Sequence, residues 1–192
     1  MRLSYSKWLL AVCLMLGSLQ ANATGFDVRI GEDTAEIFYL YKSSSFGYGG
    51  SDIGWSYYFN NNDDIMVSAS LLVSANGAGG KRALQFGVGV KAYVADLGLA
   101  NVQGGGMGIG GLVRYVFPSS TPVALLFEGY SVPSITGFGD AEGFSEARFD
   151  IEAEVSPNAR AYIGYRVMTF KDELANEFDL DDAMHLGIRI SF

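Results

Sequence analysis

The chain has 192 residues and a formal net charge of −8, with 13 Lys and Arg against 21 Asp and Glu. That length fits one domain, and the acidity argues against a nucleic-acid partner, whose phosphates call for a basic surface. One histidine and one cysteine make no zinc site, and no metal or cofactor is expected.

Residues 1–23 have the layout of a secretory signal peptide, with Arg2 and Lys7 at the front and an apolar core from Trp8 to Leu16. Ala21-Asn22-Ala23 supplies the small-residue cleavage site. Cys13 lies inside the apolar core behind Val12, without the small residue that a lipidation site needs, so lipid attachment is not expected. Removing this segment leaves 169 residues with a charge of −10 and no cysteine. Stability then rests on strand pairing and burial, not on disulfides. No later stretch reaches the uncharged apolar length of a spanning helix. Any insertion into a membrane must use strands.

From residue 26 onward the chain is a series of period-two runs. Phe26 to Gly31 sets Phe26, Val28 and Ile30 against Asp27 and Arg29. Ala35 to Lys42 follows, with Glu36 and Lys42 on one face, and Ser43 to Gly50 is a Ser/Gly-rich turn. Gly49–Phe59 and Asp64–Val73 alternate on either side of Asn60-Asn61-Asn62-Asp63, the pattern of a hairpin. Ala83 to Val94 places Leu84, Phe86, Val88, Val90, Ala92 and Val94 on one face, opposite Gln85, Gly87, Gly89, Lys91 and Tyr93. Gly105 to Phe117 repeats the scheme, with Arg114 and several glycines on the polar side. Its Gly-rich text is not a dinucleotide fingerprint, because no helical pattern follows.

Pro122 to Ser131 sets Val123, Leu125 and Phe127 against Ala124, Leu126, Glu128 and Tyr130. Gly143 to Val155 carries the densest charge, with Glu146, Arg148, Asp150, Glu152 and Glu154 sharing one face. After the turn Ser156-Pro157-Asn158, Arg160, Tyr162, Gly164, Arg166 and Met168 share a face. The last run, Ala183 to Phe192, sets Met184, Leu186, Ile188, Ile190 and Phe192 against Ala183, His185, Gly187, Arg189 and Ser191. Ten residues are about what a tilted strand needs to cross a bilayer.

Alternation by itself does not say which face is inside. A soluble barrel or sandwich would bury the apolar side, and a membrane barrel would expose it. In one register, Lys91, Arg114, Glu128, Glu146, Arg148, Asp150, Glu152, Glu154, Arg160, Arg166, His185 and Arg189 all turn away from the apolar face. On a lipid face a single Arg or Lys costs about 2–4 kcal/mol at mid-depth. Aromatic residues gather near strand ends, and Tyr57, Phe59, Tyr115, Phe117, Phe170 and Phe192 are expected to form interfacial girdles. The expected fold is therefore all-β, a closed antiparallel transmembrane β-barrel with a polar lumen. Nine clear runs from Ala35 onward plus Phe26–Gly31 make ten strands, with eight as the alternative. With both termini periplasmic, the turns at Pro118 and Ser156 are periplasmic and the longer links Val132–Glu142 and Phe170–Asp182 face outside.

The terminal Phe192, with apolar residues at every second position before it, resembles the C-terminal signature of bacterial outer-membrane barrels. The segments ALQFGVGVKAYV, GGGMGIGGLVRYVF, ARAYIGYR and LDDAMHLGIRISF resemble the YfaZ family of outer-membrane proteins. The resemblance implies residence in the outer membrane of a Gram-negative envelope, among its lipid and lipopolysaccharide. It also implies delivery by the barrel-assembly machinery through Met184, Leu186, Ile188, Ile190 and Phe192. It implies no particular activity.

Three functions are compatible with the residues. The favoured one is a monomeric structural barrel or narrow porin-like channel for small solutes or ions, its lumen charges forming salt bridges or a selectivity cluster. The second is an envelope lipid-modifying enzyme using His185, although no partner motif accompanies that histidine. The third is a soluble periplasmic ligand-binding barrel. Asp172, Glu173, Glu177, Asp179, Asp181 and Asp182 are expected in an acidic outer loop without EF-hand spacing.

Overall fold

A computed structural model describes residues 25–43, 51–76, 83–118, 122–174 and 176–192. The expected signal peptide and most of the Ser43–Gly50 turn lie outside the described residues. The strands are β1 (Gly25–Gly31), β2 (Thr34–Ser43), β3 (Ser51–Asn60), β4 (Ile65–Asn76), β5 (Leu84–Leu97), β6 (Val102–Val116) and β7 (Val123–Val132). After a 3₁₀ turn (Ser134–Thr136) come β8 (Gly137–Gly139), β9 (Ala141–Ser156), β10 (Ala159–Asp172) and β11 (Glu177–Ser191).

Each long strand pairs antiparallel with its neighbours, β1 pairs with β11, and β5 pairs with β6. The ring closes on ten strands, with the three-residue β8 added beside the start of β6. Closure leaves no long unpaired edge, which a bilayer demands because it offers no water to free backbone groups. The runs expected from sequence each match one strand. At the β3–β4 turn, Asp63 takes a left-handed conformation (φ 61°), which an Asp tolerates better than most residues.

The sign of the alternation is settled by burial. Val88 is 73% exposed and Ile188 43%, whereas Glu152 is 2% and Arg166 0% exposed. The apolar half of each zigzag points out. On the outward face of β11, Met184, Leu186, Ile188 and Ile190 run uninterrupted to Phe192. Outward-facing polar positions such as Asp96, Gln103, Lys171, Glu177, Asp179 and Asp182 collect at the barrel end away from the termini. We call this the distal end, and the other the terminal end.

Two expectations need correction. Phe170 is not in an outer girdle: it is 1% exposed and points inward, since it shares the parity of Arg166 and Met168. Tyr57 with Phe59 and Tyr115 with Phe117 do sit outside, at opposite ends of the barrel. The acidic outer loop is also mostly strand. Only residues 173–176 connect β10 to β11. A bulge lets the register pass from Met168↔Asp181 to Thr169↔Asp179, so Leu180 is the extra residue and is buried beside Asp181. Asp181 enters the lumen because it keeps the parity of Ala183 and His185, and the bulge is what leaves Asp179 outside along with Asp182.

The lumen as candidate functional site

The interior has three levels, each supplied by inward positions of successive strands. The distal half is filled by an apolar cluster that includes Tyr58, Met66, Tyr93, Phe144, Met168 and Phe170. All of these are buried, and the Tyr93 and Phe144 rings meet at 4.3 Å between centroids. The Tyr58 hydroxyl donates to the Leu180 carbonyl at 2.5 Å, joining β3 to the bulge of β11 across the lumen. Glycines make the room: a Cβ at Gly106 would lie 2.5 Å from a Val132 methyl, and one at Gly110 would strike the Gly129 carbonyl.

Below this plug lies a layer of ion pairs. Glu36 accepts from Arg29 at 3.0 Å and from Arg166 Nη1, and Arg166 Nε also donates to Asp181 at 2.7 Å. Lys91 donates to Glu146 at 2.6 Å, and the Tyr93 hydroxyl donates to the same oxygen at 3.0 Å. Arg148 pairs with Glu128 and lies 3.1 Å from Asp150, which also meets His185 Nε2 at 2.9 Å. Toward the terminal end, Arg114 Nε donates to Glu152 at 2.7 Å, and Arg189 donates twice to Asp27. Arg166 also lies over the Tyr58 ring, which ties this layer to the plug.

The third level is a cavity of about 680 Å³ in the terminal half. Its wall reaches from Lys91 and Tyr130 near mid-barrel to Gln85, Arg160 and Ser191 near the terminal end. The lumen is a cup with a charged floor, not a continuous bore.

All twelve charge-cluster residues expected from sequence turn inward, but the neighbouring strands β9 and β10 do not pair their charges with each other. Arg166 faces Arg148 across β9–β10, and its carboxylate partners come from β2 and β11 instead. Arg160 faces Glu154 in register, yet no ion pair joins them. Sequence reasoning left Asp27, Arg29, Glu36 and Asp181 out of the cluster. Their signal was present in the short alternation of β1, in Glu36, and in the inward row of β11, which reaches Asp181 once the strand is extended past Ala183. His185 is buried, holds Asp150, and presents its ring edge to Tyr162; its Nδ1 has no hydrogen-bond partner. It does not line the cavity. Among the described residues no cluster of three or more His, Cys, Asp or Glu is arranged to hold a metal.

An apolar outer belt, charges shut inside, and closure between the first and last strands define an outer-membrane-type β-barrel. A search of curated proteins finds no match. The family model described as YfaZ precursor matches residues 6–192, and the chain belongs to that family.

Proposed function

We propose that the protein is exported by a signal peptide and resides in the outer membrane as a monomeric, non-enzymatic barrel that is closed at rest. The observation that supports closure is the sealed distal half, where six large side chains from five strands fill the bore above a layer of paired charges. An open pore instead keeps a wide polar channel from end to end. The terminal end, where β1 begins and β11 finishes, faces the periplasm. The uncharged outward row from Met184 to Phe192 is the surface read by the assembly machinery, and lipid with lipopolysaccharide surrounds the belt.

The test is planar-bilayer recording of the purified full chain. The expected result is no steady conductance; a stable ohmic step in every insertion would overturn the closed state. A second reading, a gated narrow channel, is favoured by one feature: the cup already carries charged walls to mid-barrel, so displacing the plug and parting the ion pairs beneath it would complete a path. A lipid-modifying enzyme gains no such support, because His185 faces away from the lipid side and is enclosed by Asp150 and Tyr162.

A further inference from the structure

The cup has an electrostatic character opposite to that of the chain. Six cationic side chains line it, Arg29, Lys91, Arg114, Arg148, Arg160 and Arg189, against three carboxylates, Asp27, Asp52 and Glu128. The reason lies in how the ion pairs are oriented. Glu36, Glu146, Asp150 and Glu152 hold Arg29, Lys91, Arg148 and Arg114 from the wall side, and none of those four carboxylates lines the cavity. In these four contacts the cation faces the void and its carboxylate faces away, whereas Asp27 and Glu128 share the wall with Arg189 and Arg148. A narrow cavity with low-dielectric walls concentrates such a field.

One of the six differs from the others. Arg160 lines the cavity near the terminal end and has no carboxylate within ion-pair distance among the described residues, although the other five each have one. Its register partners are Glu154 on one side and Arg189 on the other. Two arginines directly opposite on adjacent strands repel each other. That arrangement becomes favourable when an anion sits between them, because a guanidinium fork matches the oxygens of a phosphate. Ser74, Gln85 and Ser191 add neutral hydrogen-bonding groups to the same wall, and the volume is that of a small-molecule site.

We propose that the cup is a binding site for a small soluble phosphate or phosphate ester, with Arg160 and Arg189 as the clamp and Arg114 close by, sharing Glu152 with Arg189. The proposal goes beyond the closed-barrel reading and does not depend on it, since a conductance result leaves the cup's occupancy untouched.

The experiment is calorimetric titration of the full chain, folded in neutral maltoside micelles, with pyrophosphate and glucose 6-phosphate, and with glucose as the uncharged control. Saturable binding of both phosphates and none of glucose is expected, weakening as salt is raised. Arg160→Gln should weaken binding at least tenfold, Arg160→Lys by less, with folding checked by heat-modifiable gel migration. Should Arg160→Gln fail to fold, Gln85→Glu serves instead. Arg114 Nη1 already donates to Gln85 Oε1, so a carboxylate there is tolerated while it opposes the ligand's charge. No saturable binding, or equal affinity in the unaltered chain and whichever of these two variants folds, overturns the proposal. Phosphatidylglycerol in the micelles tests the source: displacement of pyrophosphate would assign the cup to a lipid headgroup and sink the soluble-ligand claim.

Discussion

Replacing Arg166 with Met tests whether the ion-pair layer is an interdependent unit. Arg166 is fully buried and joins Glu36 of β2 to Asp181 of β11. Without it Glu36 still has Arg29 at 3.0 Å, but Asp181 is left with only the Thr34 hydroxyl at 3.4 Å. Stranding one partner of a buried pair typically costs about 3–5 kcal/mol, and the surviving Arg29 contact argues for the lower end, about 3 kcal/mol. The assay is urea unfolding of the barrel in lipid vesicles. Trp55 is the reporter: it lies on the outer face and is the one tryptophan beyond residue 23. Adding Asp181→Asn should recover a substantial part of the loss, because a neutral amide leaves no orphaned charge. A loss below about 1 kcal/mol, the scale of an exposed surface pair, would refute the reasoning. So would a double variant no more stable than the single.

Other outcomes follow from the same geometry. Val90→Arg, midway along the outward face of β5, should destabilise the barrel in vesicles by about 2–4 kcal/mol, whereas Glu177→Arg at the distal rim should change the same unfolding curve little. Truncating the plug with Phe144→Ala and Phe170→Ala together should give measurable ion conductance in planar bilayers if the gated-channel reading is right; continued silence would count against it. Gly187→Ala should lower the urea midpoint, because a Cβ there would lie 2.1 Å from the Tyr162 ring, whose hydroxyl donates to Asp27. An unchanged midpoint would mean the ring moves freely. Deleting Phe192 should reduce the fraction of chain that resists heating in sodium dodecyl sulfate when expressed in cells, while refolding in detergent proceeds.

Much of the architecture was legible because it repeats. Each strand alternates at period two, and a bilayer enforces that alternation at a cost of kilocalories per misplaced charge. Val88, Ile188, Glu152 and Arg166 all sit on the side that the parity of their strands demands. Phe170 went astray for a different reason: a preference of aromatics for interfaces was allowed to outweigh parity, and parity prevailed. Asp181 was misjudged because the run was begun at Ala183, although Asp181 keeps that strand's parity; the bulge at Leu180, which leaves no compositional mark, turns Asp179 outward instead.

The sequence by itself determined that the chain is a series of strands and which residues share a face, since both depend on local alternation; closure on ten strands and the outward turn of the apolar faces came with the tertiary structure. Only the tertiary structure decided which inner residues meet. Lys91 and Glu146 lie 55 positions apart, and Arg166 and Glu36 lie 130 apart. Such pairs are set by the curvature and stagger that closing ten strands imposes. The same closure divides one uniform inner face into an apolar plug, a paired-charge floor and a cationic cup.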